Sequence, residues 1–409
     1  MKKYLFFNLC LFLCLSGCQE DERQAEEGNG RKSIPLTRIE KEISSQHADF
    51  AFNFFKAANA QEEGKEDKMV VSPLSASFAM AMLANGAENE TLKEMTDALR
   101  ISGFNLDEVN AYNKKLVEQL ATLDKKATLL TANSFWMNSW FEALPQFKNT
   151  LETGYGAEMK QADFATALPA INQWCADKTK GHVKEILTEL DENSSFVLLN
   201  ALYFKGEWAA KFLKEDTSSG GFTDSEGVLI PNVSYMNKKG WNTRYFKNDL
   251  FALATLPFGN GAFRMQILLP NEGVGLEQCI DTLSGALWEQ LEFSTVKLVL
   301  KIPKYKVYTR MEQKETLAAM GVKRVFGTAA ELKKLASERA LDEELTTWQA
   351  CSFEVDEEGA VAAAVTSWNG GDLASSIPVV EFFVTRPFLF MVTEQSTGAF
   401  LFIGKVNKP

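Results

Sequence analysis

The segment from Phe196 to Phe204 places the strongest constraint on the fold. It reads Phe-Val-Leu-Leu-Asn-Ala-Leu-Tyr-Phe, a nearly continuous apolar run interrupted by the amide of Asn200. A run of this length without polar alternation is typical of a central β-strand that is covered on both faces. The sequence therefore predicts a sheet with packed side chains on each side of this strand.

Helical and strand patterns surround this segment. Apolar residues at helical spacing predict a helix from about Thr37 to Ala58, and Ser72 followed by Pro73 is typical of the first turn of a second helix. A third helix is predicted at 170–178, and apolar runs predict strands at 129–136, 251–257, 263–270, 296–303, 379–384, 388–393 and 400–406. Helices early and strands late in one domain indicate an α+β fold.

The first residues have the features of an export signal. A basic start, Met1-Lys2-Lys3, precedes an apolar run from Tyr4 to Leu15. This run is too short to span a bilayer, which takes about 20 residues. We therefore expect residues 1–17 to be a secretory signal peptide, residues 18–35 a tether and residues 36–409 the folded domain.

The end of this signal resembles the lipobox of bacterial lipoproteins, Leu15-Ser16-Gly17-Cys18. The resemblance implies that Cys18 becomes the mature N-terminus and carries acyl chains, so that the protein meets a membrane only through a lipid anchor. The alternative is an ordinary signal peptide with an accidental cysteine.

The acidic tether suggests a location. Gln19 is not the aspartate that retains enterobacterial lipoproteins in the inner membrane, and the acidic cluster after it resembles a tag for export to the outer surface. We therefore expect an outer-membrane lipoprotein at the cell surface or facing the periplasm. The cluster is equally well explained as a solvated linker.

Charge and reactive residues exclude several function classes. The formal net charge is −11 with Lys and Arg scattered, which argues against a nucleic-acid partner. Cys175, Cys279 and Cys351 are widely spaced, so neither a disulfide framework nor a zinc site is indicated. The two histidines, His47 and His182, accompany no catalytic or phosphate-binding motif, so we expect no enzyme, no cofactor and no metal.

The stretch 353–378 is unusual for a compact domain. An acidic turn leads into a long segment of small residues without helical period, and such long loops are usually functional or disordered. At the strand period of two, one face would carry only small side chains: Ala360, Ala362, Ala364 and Thr366. The other face would be mildly apolar: Val361, Ala363, Val365 and Ser367. Such a segment could enter an existing sheet as an additional strand.

Six regions of the chain, in this order, resemble the serpin family. They are 72–75 with 81–87, 131–136, 171–174 with 179–181, 200–208, 256–258 with 267–270, and 386–390 with 404–409. The region 200–208, Asn-Ala-Leu-Tyr-Phe-Lys-Gly-Glu-Trp, is the most specific of the internal motifs. The resemblance implies the serpin fold, in which helices pack on a large central mixed β-sheet beside two smaller sheets and an exposed reactive-centre loop. We expect a monomer.

The resemblance also implies a function for the unusual stretch. It corresponds to the hinge of inhibitory serpins, here Glu357, Glu358, Gly359, Ala360, Val361, Ala362, Ala363, Ala364, Val365 and Thr366. In that mechanism a serine protease cleaves the loop and is trapped as a covalent acyl-enzyme while the freed hinge inserts into the main sheet. The alternative is a non-inhibitory serpin acting as a carrier or surface-interaction protein. The small, proline-free hinge favours inhibition.

Family spacing places the cleaved bond between Leu373 and Ala374, fourteen residues after Gly359. Trp368 is an alternative, and counting back from the C-terminal side gives Ser376. A leucine before the bond suits elastase-, chymotrypsin- or subtilisin-like proteases, and cysteine proteases remain open as further targets. Trp368 departs from the small-residue pattern, because it shares the face of Ala360.

Other matching residues are implied to control opening of the main sheet. Ser72, Ser75 and Asn200 match the family's shutter, where Gln349 replaces a histidine. An amide still donates and accepts hydrogen bonds, so this replacement keeps the chemistry.

Two residues match the breach at the top of the main sheet. Trp208 lies there, and Lys304 is expected to pair with Glu357. Without the resemblance, Trp208 would be interpreted as a core aromatic residue and Lys304 as a solvated charge.

Overall fold

The computed structural model describes residues 30–62, 66–336, 345–357 and 377–409. Within these ranges the chain forms nine α-helices and fourteen β-strands. The helices are α1 (Arg38–Gln61), α2 (Pro73–Ala84), α3 (Asn89–Ala98), α4 (Leu106–Gln119), α5 (Pro145–Tyr155), α6 (Leu168–Lys178), α7 (Leu276–Thr282), α8 (Gly285–Glu289) and α9 (Lys314–Ala319). The strands are β1 (Lys68–Val71), β2 (Ala127–Asn138), β3 (Glu158–Ala162), β4 (Phe196–Gly206), β5 (Ser218–Thr223), β6 (Leu229–Lys247), β7 (Phe251–Pro257), β8 (Phe263–Pro270), β9 (Ser294–Pro303), β10 (Tyr305–Glu312), β11 (Thr346–Val355), β12 (Val379–Phe383), β13 (Phe388–Glu394) and β14 (Phe400–Val406).

The first two predicted helices have the capping expected from their sequences. Thr37 caps α1 through a capping box, because its side chain accepts from the Glu40 backbone while Glu40 accepts from the Thr37 backbone. Ser72 caps α2, and Pro73 occupies the first helical position. A backbone N–H at this position has no partner within the helix, so proline is tolerated there. These two predictions are confirmed.

A five-stranded mixed sheet lies at the centre of the fold, in the order β10-β11-β4-β2-β3. Strand β4 pairs antiparallel with β2 on one side and parallel with β11 on the other. Strand β11 in turn pairs antiparallel with β10, and β2 pairs parallel with β3.

Strand β4 is covered on both faces, as its apolar run predicts. Phe196, Leu198, Leu202 and Phe204 belong to the main hydrophobic core. Val197, Leu199 and Ala201 belong to a second cluster beneath α6, which also contains Ile171 and Trp174. Because side chains alternate along a strand, these two sets point to opposite sides of the sheet, and α6 provides the second layer.

The remaining strands form a nine-stranded sheet in the order β1-β14-β13-β8-β7-β6-β9-β12, with β5 on β6. The long strand β6 pairs with β7 through its last residues and with β9 through its middle. The two smaller sheets of the expected fold are therefore continuous through β6. Strand β12 forms the edge and pairs parallel with β9.

The N-terminal end of the described chain packs on the domain. Ile34 is buried, and its N–H donates to Ser396 Oγ at 2.9 Å. The three cysteines of the domain, Cys175, Cys279 and Cys351, are free and buried. Among the helices of the described ranges, none has the length and apolar character needed to cross a membrane.

Candidate functional site

The parallel pair β4 and β11 separates at one end. Their register runs from Thr346 opposite Val197 to Ser352 opposite Tyr203, although both strands continue for three further residues. Beyond the Ser352–Tyr203 pair, the described residues of β4 and β11 do not pair with each other. A small cavity occupies this place, lined by both diverging strand ends and by Trp208 and Phe258. We call the line along which β4 and β11 pair the seam, and the place where the two strands separate its open end.

Trp208 forms part of the wall of the cavity at this open end. Its indole is 4 % exposed and stacks on Phe258 with ring centroids 4.6 Å apart. The indole Nε1–H donates to the carbonyl oxygen of Asp356 at 2.9 Å. A buried indole N–H needs such an acceptor, so Trp208 both fills the core and fixes the chain just after β11.

Glu357, the last described residue before position 377, is held by two donors. Its carboxylate accepts from Lys304 Nζ at 2.7 Å and from Thr217 Oγ1 at 2.6 Å, and the residue is 6 % exposed. Burial raises the pKa of Glu357, but the hydrogen bonds from Lys304 and Thr217 outweigh it and hold the pKa below its ordinary value. The carboxylate is therefore charged at neutral pH, and Lys304 is its counter-ion.

A polar row crosses the middle of the same sheet. Asn133 on β2, Asn200 on β4 and Gln349 on β11 lie opposite one another in the strand register. The amide of Asn200 donates to Asn133 Oδ1, and Asn133 donates to the carbonyl of Tyr155 at 3.2 Å. Asn200 Oδ1 is buried and has no hydrogen-bond partner among the described residues.

Gln349 connects this row to helix α2. Its Oε1 accepts from the Ser72 N–H, and its Nε2 donates to the Ser72 carbonyl, both at 2.9 Å. The Ser72 hydroxyl accepts from the Ser75 N–H at 3.2 Å, as an N-cap does. The structure thus brings the four residues of the expected shutter to one place where β4 meets β11.

Several expected site residues lie outside the described residues. They are Cys18 and the loop positions Glu358, Gly359, Ala360, Val361, Ala362, Ala363, Ala364, Val365, Thr366, Leu373 and Ala374, with the alternatives Trp368 and Ser376. The described chain ends before this segment at Glu357, beside the open end of the seam, and resumes at Ile377 just before β12.

Two contacts at the site were not predicted from the sequence. Asn133 lies in the segment 131–136, one of the regions that resemble the serpin family. Its polar amide within a predicted strand could have indicated a role in the site. Thr217 donates to Glu357 from 140 residues away, and nothing in its local sequence indicates that contact. Within the described ranges, no group of three His, Cys, Asp or Glu side chains is arranged to hold a metal ion.

Comparison with known proteins assigns the family. The sequence matches the family description "Serpin (serine protease inhibitor)" over residues 45–409. It is 33% identical over 352 residues to Iripin-3 of Ixodes ricinus, covering 83% of this chain and 89% of that protein. The chain belongs to the serpin family, whose members are mostly protease inhibitors rather than catalysts.

Solved structures agree with this assignment. A thermophilic serpin, tengpin, in its native state superposes with a TM-score of 0.80 at 28% identity, covering 93% of this chain and 97% of that one. Arabidopsis AtSerpin1 in its native stressed conformation superposes with a TM-score of 0.82 at 26% identity, covering 91% and 100%. The expected serpin fold is confirmed.

Proposed function

We propose that this protein is a suicide inhibitor of serine proteases, which traps its target as a covalent acyl-enzyme on a cleaved loop inserted between β4 and β11. The observation that carries the proposal is the open end of the seam. It lies beside Glu357, at the point where the chain leaves β11 toward the hinge. The entrance therefore lies beside Glu357, the residue at which the hinge begins.

The direction of the chain supports insertion. A segment that follows β11 and turns back into the sheet runs antiparallel to β11. Because β4 is parallel to β11, the same segment is also antiparallel to β4. The inserted strand would exchange one parallel ladder for two antiparallel ladders, which are slightly more stable per residue.

The free energy gained on loop insertion is large enough to distort the active site of a trapped protease. The residues from Gly359 to Leu373 would span about 50 Å as a strand, at about 3.3 Å each. If each residue gains one net hydrogen bond of about 0.5–1.5 kcal/mol, insertion contributes on the order of 10 kcal/mol. That is comparable to the whole stability of a typical domain, so distortion of a trapped active site is energetically accessible.

The contacts around the seam suggest how insertion is controlled. Lys304 and Thr217 hold Glu357 at the start of the hinge. Further down, β4 and β11 are in direct register at Asn200 and Gln349. Counted from the Ser352–Tyr203 pair at the open end, Gln349 and Asn200 form the fourth pair that the inserting strand must separate.

The target class follows from the proposed bond between Leu373 and Ala374. A leucine fits the apolar pocket of elastase-, chymotrypsin- or subtilisin-like proteases. Cysteine proteases form acyl-enzymes as well and are a second target class under this proposal.

One feature favours a second candidate, a serpin that binds partners without inhibiting. Trp368 has the same strand parity as the small residues of the hinge. Full insertion would place its indole in a row of alanine-sized side chains, where extra volume is costly. A loop that stops at this position would be cleaved without trapping the protease.

The deciding experiment is incubation of the protein with pancreatic elastase, followed by boiling in detergent and electrophoresis. The proposal predicts a new band at the sum of the two masses, less the C-terminal fragment from Ala374 to Pro409. Active-site-blocked elastase is the matched control and should give no such band. Quantitative cleavage of the loop without an adduct would reject inhibition and support the second candidate.

We further propose that the protein is a monomeric lipoprotein of the outer membrane, anchored through acyl chains on Cys18 and placed at the cell surface or facing the periplasm. The support is the sequence Leu15-Ser16-Gly17-Cys18 and the acidic residues after it.

A further inference from the structure

A series of buried hydrogen bonds leads from the seam to the end of helix α5. The amide of Asn200 on β4 donates to Asn133 on β2, and Asn133 Nδ2 donates to the carbonyl oxygen of Tyr155 at 3.2 Å. Asn200 and Asn133 are 1 % and 5 % exposed, and Tyr155 is fully buried. Tyr155 is the last residue of α5, and only two residues separate it from β3. Its backbone therefore belongs to the part of the molecule that is bonded to β4.

The side chain of Tyr155 is bonded to the helices instead. Its hydroxyl donates to Asn110 Oδ1 at 2.5 Å and accepts from Asn113 Nδ2 at 3.3 Å, and both asparagines lie on α4. Asn110 in turn exchanges two amide hydrogen bonds with Asn85, the C-cap of α2, at 2.8 and 2.9 Å. Burial raises the pKa of the Tyr155 hydroxyl above its ordinary value, so the hydroxyl keeps its proton and remains a donor.

Helix α2 closes this path into a ring. At the start of α2, the backbone of Ser72 is bonded to Gln349 of β11, and Gln349 lies opposite Asn200 across the seam. The ring thus runs from β4 through Tyr155 to α4 and α2, and it returns through Gln349 to β11. If β4 and β11 move apart while α2 stays bonded to β11, the bonds of the Tyr155 hydroxyl are stretched. This hydroxyl is the point at which the ring passes from the strands to the helices.

Helix α4 is held in place by contacts outside the ring. The Tyr112 hydroxyl donates to Ser44 Oγ of α1 at 3.0 Å, and Lys115 Nζ lies 2.6 Å from the carboxylate of Glu40, also on α1. The Ser44 hydroxyl donates to the carbonyl oxygen of Thr397, between β13 and β14 of the other sheet. Because α4 is tied to α1 and to that sheet, it does not simply follow α5 when the strands move.

We propose that Tyr155 is a positioning residue for loop insertion, because its hydroxyl holds β4, β2 and β3 against α4 and thereby sets how readily the seam opens. We call this hydroxyl, with its partners Asn110 and Asn113, the latch. The inference rests on the proposed function, since the seam is the place where the loop would insert. The latch itself belongs to the uncleaved protein, and its test requires no protease, so the two proposals can fail separately.

The test is hydrogen–deuterium exchange of the uncleaved full-length protein, compared between Tyr155→Phe and the unmodified chain. Phenylalanine keeps the ring in the core and removes only the hydroxyl. The amides that pair β4 with β11 should exchange about fivefold faster, which is the factor expected for the loss of one net hydrogen bond on local opening. The amides that pair β13 with β14 report on global unfolding, because both strands are fully buried.

Tyr112→Phe is the matched control. It also removes a buried hydroxyl that is bonded at α4, but this bond joins α4 to α1 and is not part of the ring. Exchange at the seam should be unchanged in this variant, even where the amides between β13 and β14 exchange faster. Unchanged seam exchange in Tyr155→Phe, or an equal acceleration of the seam amides in both variants, would overturn the proposal.

Asn110→Ala removes the acceptor of the same bond and provides an independent test. Its seam amides should exchange at least as fast as those of Tyr155→Phe. The double variant should exchange no faster than Asn110→Ala alone, because both changes break one contact. Additive effects in the double variant would show that the two side chains act separately and would overturn the latch. If Tyr155→Phe fails to fold, unchanged seam exchange in Asn110→Ala would overturn it by itself.

Discussion

The side-chain amide of Gln349 forms two hydrogen bonds with the backbone of Ser72, one to the N–H and one to the carbonyl, each 2.9 Å long. Ser72 is the N-cap of α2, and Gln349 lies on β11 opposite Asn200 of β4. A primary amide presents a donor and an acceptor side by side, so it satisfies both backbone groups at once. This contact fastens α2 to the strand that must separate from β4 during the proposed insertion.

Replacement of Gln349 by leucine should destabilise the protein. The substitution leaves the buried N–H of Ser72 without a partner, which costs about 1–3 kcal/mol. The Ser72 carbonyl loses its bond from Gln349 but still accepts from the Ala76 N–H at 3.0 Å. The loss is measured as a lower urea midpoint at unchanged slope. Gln146→Leu, at an exposed position of α5, is the matched control and should change stability by less than about 0.5 kcal/mol. A loss below about 1 kcal/mol in Gln349→Leu would show that these two hydrogen bonds contribute little.

The ion pair of Glu357 should make stability depend on pH in a defined direction. The hydrogen bonds from Lys304 and Thr217 lower the pKa of Glu357 below its ordinary value of 4.5. The unfolded chain therefore binds this proton at higher pH than the folded chain does. The stabilisation is fully present above pH 4.5 and is lost as the pH falls through the lower folded pKa.

The measurement compares the unfolding free energies of the unmodified protein and Glu357→Gln between about pH 7 and pH 3. The difference should be largest at pH 7 and should shrink toward the acidic end. Glu354→Gln is the control, because Glu354 forms only an exposed pair with Lys306 at 3.5 Å and such pairs contribute little. A difference that does not vary with pH would contradict the assignment.

Ala362→Arg should convert the proposed inhibitor into a substrate of the protease. A long charged side chain on the small-residue face prevents the hinge from entering the sheet. The protease would then complete hydrolysis of the loop and be released before it is trapped. The number of inhibitor molecules consumed per trapped elastase should rise at least tenfold. Ser375→Arg adds the same side chain beyond the proposed bond and should leave this number within twofold. Unchanged stoichiometry in Ala362→Arg would count against insertion of this face.

The position of the cleaved bond can be tested by changing target specificity. Leu373→Arg should transfer trapping from elastase to trypsin, since trypsin requires a basic residue before the bond. The trypsin association rate should rise by at least tenfold, and the elastase rate should fall by at least tenfold. Ser376→Arg makes the same change at the alternative position. If Ser376→Arg acquires the trypsin activity and Leu373→Arg does not, the bond lies at Ser376.

The proposed lipid anchor on Cys18 predicts a defined N-terminus. Mass spectrometry of protein extracted from membranes should find Cys18 as the first residue with acyl chains attached. Cys18→Ala should move the protein from the membrane fraction to the soluble fraction or leave its signal uncleaved, whereas Cys14→Ala should behave as the unmodified protein. A soluble, unacylated chain beginning elsewhere would show that Cys18 is not a lipidation site.

Much of the local structure follows from local patterns. The apolar run around Asn200 predicted a strand covered on both faces, and its alternate residues do divide between two hydrophobic clusters. Ser72 and Pro73 predicted the start of α2, because capping and the geometry of proline act over a single turn. Burial and capping depend on a few neighbouring residues, which is why the sequence reveals them.

The contacts of the site depend on pairing between distant segments. Thr217 reaches Glu357 across 140 residues, and no local feature of Thr217 indicates this. Asn133, Asn200 and Gln349 form one row only because the registers of β2, β4 and β11 bring them opposite one another. A shift of one residue in any register would turn these side chains to the other face of the sheet.

By itself, the sequence determined three of the nine described helices, eight of the fourteen described strands, the family, and the small residues of the hinge, because these depend on composition and spacing along the chain. Only the tertiary structure decided that β4 and β11 separate beyond Ser352 and Tyr203, and that Gln349 meets Ser72 across 277 residues. Strand register and the docking of α2 are set by packing of the whole core, and no short segment of the chain contains that information.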